Sequence, residues 1–170
     1  FNSLADRNPA PATTGVGKTS ALGAVQLSRA SNAFSVIRSR TNQIVADQDN
    51  NFIGFVHRQD INQWGGTPPT TSNGVYRLDW SQDEGANWNT DIGPLTPLPY
   101  PNSGRGRYPQ IGLYIPDGGA NSIDDYRMPY LGALTDGNGW GNHIYGVARN
   151  ITQLSADPTT SKSPNVEFDF

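Results

Sequence analysis

The stretch "SQDEGANW", Ser81–Trp88, lies between two short runs of strand formers, "VYRLDW" before it and "NWNTDI" overlapping its end. Asp83 carries a short carboxylate that accepts hydrogen bonds from the backbone N–H groups of a tight turn. Gly85 takes the positive φ that such a turn commonly needs. Trp88 opens the return strand, where its indole can fold over the turn and bury it. Side chains therefore specify this hairpin, and it predicts antiparallel sheet on either side.

Composition extends the reading to the whole chain. A length of 170 residues suffices for one domain with a real core. Trp, Tyr and Phe reach 10% and fall in clusters, which separates the chain from disordered sequences. With 19 Gly and 13 Pro, no window keeps good helix formers at helical spacing for more than about two turns. The expected class is all-β. A net charge of -3, with the arginines scattered, gives no basic stripe for nucleic acid. The absence of cysteine excludes a disulfide framework and thiolate metal sites, and suits a secreted bacterial protein stabilised by sheet packing. No apolar run approaches the roughly 20 residues of a membrane span. The chain begins at Phe1 rather than Met, which reads as a removed leader or an excerpt of something longer.

Residues 1–32 read as an N-terminal arm with an edge strand near "ALGAVQLS". In residues 33–104, "AFSVIRSR", "QIVAD" and "FIGFVHR" are strand-like, and "DQDNN" between the last two is a turn signal. Phe52, Gly54 and Val56 share one face of "FIGFVHR", and Ile53, Phe55 and His57 share the other. The linkers "QDINQWGGTPPTTSNG" and "PLTPLPYPNSGRG" flank the Ser81–Trp88 hairpin unit. Residues 105–170 hold "RYPQIGLYIP", "YRMPYLGAL", "HIYGVAR" and a last strand, "NVEFDF". Two successive groups of short strands suggest repeated four-stranded units, the pattern of a β-propeller; a β-sandwich is the alternative.

The residues Ser81, Asp83, Gly85 and Trp88 resemble the Asp box, or BNR repeat, of sialidase-like β-propellers, whose pattern is Ser/Thr-x-Asp-x-Gly-x-x-Trp. In that family the box lies between the third and fourth strands of a blade. The wider series of strands is similar to the N-terminal propeller region of large secreted proteins exported by bacterial type IX secretion. The resemblance implies an extracellular or cell-surface scaffold or recognition module that binds glycans or surface partners through its loops. It also implies that secretion machinery handles the chain. Blades run to roughly 40–50 residues, so by length the chain could hold about three to four, but its two long linkers leave strands for about two to three, part of a larger propeller. The open edge would then be covered by further blades or a partner chain.

The alternative function is a share of a sialidase-like glycoside hydrolase. That family uses an arginine triad, a Tyr–Glu nucleophile pair and an acid/base Asp. Arg38 follows Ile37 as the first arginine would, but Ser39 departs from the pattern and no proline succeeds it. Asp47 or Asp49 lies downstream where an acid/base carboxylate would be sought, yet the only glutamates are Glu84, in the turn, and Glu167. Catalytic residues are therefore not assigned. Asp124 and Asp125, if on a strand, would point to opposite faces. The cluster Asp47, Asp49, Asn50 and Asn51 reads as turn chemistry rather than a Ca²⁺ loop, because Phe52 stands where an EF-hand needs glycine. His57 and His143, without cysteine, read as structural, so neither metal nor cofactor is expected. Trp64 and Trp140 are candidates for stacking on sugar rings, with Tyr100, Tyr108 and Tyr114 also near loops; Arg105 and Arg107 are candidates for an anion contact.

"ATTGVGKTS", Ala12–Ser20, imitates a phosphate-binding loop. Such a loop needs a buried apolar strand before it and a helix after it. Here prolines and polar residues precede it and Gly23 interrupts the downstream segment, so nucleotide binding is rejected.

Overall fold

A computed structural model describes residues 25–30, 41–60, 74–95, 106–117, 119–135 and 140–153, with only the backbone described at 140–142. These residues are all-β. β1 (Ile44–Asp47), β2 (Phe52–Arg58), β3 (Tyr76–Ser81) and β4 (Asn89–Ile92) form one antiparallel sheet in sequential order. β5 (Gly106–Ile111), β6 (Met128–Thr135) and β7 (Trp140–Ala148) form a second. The two groups of strands read from sequence are thus separate sheets. "AFSVIRSR" and "NVEFDF" lie outside the described residues. The described part of the N-terminal arm, residues 25–30, is irregular chain rather than strand, because Ser28 N–H donates to the Asp79 carboxylate. Asp124 and Asp125 sit in a 3-10 turn, Ile123–Asp125, where Ser122 and Asp125 cap each other's backbone.

Alternation along β2 and β3 places Phe52, Val56, Tyr76 and Leu78 on one face of the first sheet. They join Ile111, Met128, Tyr130, Leu134 and Ile144 of the second sheet in a single buried cluster. Each such aliphatic side chain contributes about 1.5–3 kcal/mol on burial.

Three tyrosine hydroxyls bond across the seam between the sheets, two of them from or to residues that flank the strands. Tyr76 donates its hydroxyl to the Arg107 carbonyl at 2.9 Å, and Tyr130 donates to the Leu95 carbonyl at 2.8 Å. The Tyr126 hydroxyl donates to Asp47. Edge-to-face contacts between Phe52 and Tyr126 (5.1 Å between centroids) and between Tyr76 and Tyr130 (6.3 Å) lock the same seam.

The Tyr76 ring fits because the second sheet presents bare backbone to it. A Cβ at Gly132 would overlap the Tyr76 phenol. At this level β5 carries two residues, Tyr108 and Pro109, opposite the single Gly132, a bulge that sits next to the Arg107 carbonyl receiving the phenol. Gly132→Ala is therefore expected to destabilise the fold by about 1–3 kcal/mol through overpacking. A chemical-denaturation midpoint unchanged from wild type would contradict this packing.

Candidate functional site

β3 reads Y-R-L-D-W-S, and its alternation separates two chemistries. Tyr76, Leu78 and Trp80 face the core, while Arg77, Asp79 and Ser81 share the opposite face. Polar residues in alternate positions ordinarily mark a solvated face. Here Arg77, Asp79 and Ser81 are all buried, as is His57 across from Arg77 on β2. Buried charge of this kind must be hydrogen-bonded to be tolerated.

Asp79 is the centre of that network. Its Oδ1 accepts from Ser28 Oγ at 2.5 Å and from the Asp91 backbone N–H at 2.7 Å, and its Oδ2 accepts from the Ser28 N–H at 3.1 Å. His57 Nε2 lies 3.2 Å from Asp79 Oδ1 and 3.8 Å from Asp91 Oδ1. The other ring nitrogen, Nδ1, donates to the Arg58 carbonyl at 2.9 Å. The Phe55 ring stacks on the imidazole at 5.6 Å between centroids and fixes its plane. Arg77 donates to Gln59 Oε1 and to the Gly93 carbonyl, and its charge lies near Asp91.

Asp91 reaches the cluster through a break in the ladder. Between the pairs Leu78↔Ile92 and Trp80↔Asn89, β3 has only Asp79 whereas β4 has Thr90 and Asp91. The result is a β-bulge, with Asp91 at φ 56°. Beside it opens a cleft of about 360 Å³ lined by Gln26, Ser28, Arg29, Asp60, Thr90 and Asp91 among others. Polar donors and acceptors dominate this lining. The serine touches the carboxylate and not the imidazole, so the arrangement does not activate a serine nucleophile.

Burial is the largest influence on His57 and pushes its pKa down. The hydrogen bond and charge of Asp79, the Arg58 carbonyl and the Asp91 charge outweigh it, and the net direction is upward. For Asp79 burial acts upward, but His57, Ser28 and the Asp91 amide hold the carboxyl below its ordinary value.

The Ser81–Trp88 turn is closed by its own side chains. Ser81 Oγ donates to Asp83 Oδ1 at 2.8 Å and accepts the Gly85 N–H at 2.9 Å. Asp83 accepts the Asn87 N–H at 2.8 Å and the Asn87 amide at 2.6 Å, and Trp88 Nε1 donates to the Gly85 carbonyl at 2.9 Å. Gly85 has φ 86°. The Glu84 N–H donates to the Asn51 carbonyl and ties this turn to the β1–β2 turn. There Asp47 accepts from the Asp49 N–H, the Asn50 amide and Tyr126, so its oxygens serve turn and core contacts.

Of the residues singled out by sequence for ligands, Trp64, Arg38 and Arg105 lie outside the described residues. Trp140 begins β7, and Arg107 is half-buried on β5 with Nη1 on the Gly106 carbonyl. Arg107 does not line the cleft. His57, expected to be a structural histidine, is held by partners on both ring nitrogens. Asp79, Asp91 and Ser28 carry no local signal that singles them out.

Comparisons with protein-family models, with curated proteins and with solved structures return no match.

The directions of the two pKa shifts fix a pH dependence. A raised His57 pKa contributes stability that is complete below the unfolded value of 6.5 and is lost as pH rises through the folded value. A lowered Asp79 pKa contributes stability present above 3.8 and lost as pH falls through its folded value. With a chelator present, the urea midpoint should fall between about pH 6 and about pH 9 in the wild type and change less over that range in His57→Gln. Parallel profiles for the two proteins would remove the ion pair from the account.

Proposed function

We propose that the chain is a segment of an extracellular Asp-box β-propeller that acts as a scaffold and recognition module and binds glycan in the polar cleft beside Asp91. The observation carrying this reading is the cleft itself, where Gln26, Arg29, Asp60 and Thr90 gather on the face of the first sheet opposite its apolar core. An amide, a guanidinium, a carboxylate and a hydroxyl in one depression match a polyhydroxylated ligand, whose hydroxyls both donate and accept. The propeller reading draws support from the sequential four-stranded meander and from the side-chain-closed hairpin between its third and fourth strands. Further blades, or a partner chain, would cover the outer edges of the sheets. Export to the cell surface as type IX cargo rests on the likeness of the strand series and belongs to the same proposal. Among the described residues no helix is long and apolar enough to cross a membrane.

A second reading, a share of a glycoside hydrolase, is favoured by one observation: two carboxylates, Asp60 and Asp91, line the same cleft. Glycan-array binding followed by calorimetry separates the two. Recognition predicts binding without turnover of aryl glycosides, weakened about tenfold or more by Arg29→Ala or Thr90→Val, a loss of about 1.4 kcal/mol. Trp64→Ala tests the stacking contribution in the same assay. Turnover abolished by Asp60→Asn would replace recognition with hydrolysis, and binding indifferent to every cleft variant would place the ligand elsewhere.

A further inference from the structure

We propose that His57, Asp79 and Asp91 form a binding site for a divalent transition-metal cation of the zinc type, open to the cleft on one side. These residues come from β2, β3 and β4, and one ligand atom from each lies within 4.8 Å of the others. The inference concerns a metal and stands independently of any glycan.

The His57 ring decides what the cluster can hold. A ring nitrogen can bond a carbonyl only by donating, so the contact with the Arg58 carbonyl fixes the hydrogen on Nδ1. In the neutral ring the Nε2 lone pair then points at two carboxylate oxygens. Something positive must occupy that point: a second proton or a metal ion. The Nδ1–H···O=C arrangement is also the outer-shell contact that orients metal-ligating imidazoles.

Two of the three ligand–ligand distances are compatible with a tetrahedral ion. Ligands about 2.0–2.1 Å from a tetrahedral ion lie about 3.3 Å from each other. Nε2 is 3.2 Å from Asp79 Oδ1 and 3.8 Å from Asp91 Oδ1, the second too long for a hydrogen bond but within a small adjustment of a tetrahedral edge. Ser28, from outside the cluster, holds the Asp79 carboxylate through its Oγ and N–H, and the backbone N–H of Asp91 adds a third contact.

One imidazole with two carboxylates suits Zn²⁺, Co²⁺ or Mn²⁺ rather than Ca²⁺ or Mg²⁺, which prefer six or more oxygens. Ser28 and Asp91 line the cleft, so a water or a ligand oxygen can reach the fourth position from there.

The proton is the competitor, and that makes the test sharp. Calorimetry of the chelator-stripped chain should show one Zn²⁺ bound per chain, with an affinity that falls as pH is lowered. Co²⁺ should give the visible absorption of a four-coordinate ion. Ser28→Ala, which leaves the three ligands intact, should weaken binding by about 10–100-fold, and Asp91→Asn should weaken it further. Should Asp91→Asn fail to fold, the wild-type Co²⁺ spectrum and the Ser28→Ala titration still decide. The absence of stoichiometric binding would overturn the proposal. Equal zinc affinity in wild type, Ser28→Ala and a folded Asp91→Asn would also overturn it, as adsorption elsewhere.

Discussion

The carboxylate of Asp79 is the contact on which the arrangement of the first sheet depends. It sits on the middle of β3 and gathers the arm through Ser28, β4 through the Asp91 amide and β2 through His57. A buried carboxylate is costly unless its lone pairs are occupied. The energetic need of one side chain thus ties together segments 51 residues apart in sequence. The arm's irregular path has the same origin. Residues 25–30 do not extend the sheet, because the backbone N–H of Ser28 answers Asp79 instead of a neighbouring strand.

The first sheet consequently has two buried faces with opposite chemistry. Toward the second sheet it presents Phe52, Val56, Tyr76 and Leu78, sealed by tyrosines that bond across the seam. Away from it lie His57, Arg77, Asp79 and Ser81, equally shielded but held by hydrogen bonds. Apolar burial supplies the stability and tolerates modest changes of shape. The polar face supplies specificity of geometry, since each group there is satisfied only in one register. A functional site placed on the polar face inherits that fixed geometry while the apolar face carries the fold.

Much of this architecture is legible in the sequence and the site is not, for reasons traceable to particular residues. The β1–β2 hairpin is signalled by "DQDNN", and the β3–β4 hairpin by Asp83 and Gly85, because turn chemistry is local. The alternation in "FIGFVHR" correctly separates Phe52 and Val56 from Phe55 and His57. The same alternation in "YRLDWS" misleads, since Arg77 and Asp79 look like a solvated face. Asp79 is met by Ser28 of an arm 51 residues upstream and Arg77 by Gln59 and Gly93, and no local pattern encodes that. The run His57-Arg58-Gln59-Asp60 holds the one usable signal: four consecutive polar residues closing an apolar strand, all buried in the structure. Around Asp124 and Asp125 the code is local again, since Ser122 and Asp125 spell a capping box that sets a 3-10 turn.

The bulge in β4 links these levels. In a regular ladder a single residue of β4 would face Asp79, and its amide would be committed to a β3 carbonyl. Inserting Thr90 and Asp91 opposite Asp79 frees the Asp91 amide to donate to the carboxylate and turns the Asp91 side chain toward His57. Asp tolerates the positive φ this needs better than most residues, because its short polar side chain suits the left-handed region. Thr90, the other extra residue, contributes to the wall of the cleft. One inserted position therefore builds the buried cluster and part of its opening together. A second bulge, with Tyr108 at φ 52°, lies beside the carbonyl that receives Tyr76 in the other sheet. These two departures from ideal pairing, apart from a third between Leu134 and Thr135 in the β6–β7 pair, sit where a side chain from another segment must be met. They are better understood as the means by which the two sheets and the arm are brought into register than as defects in the ladders.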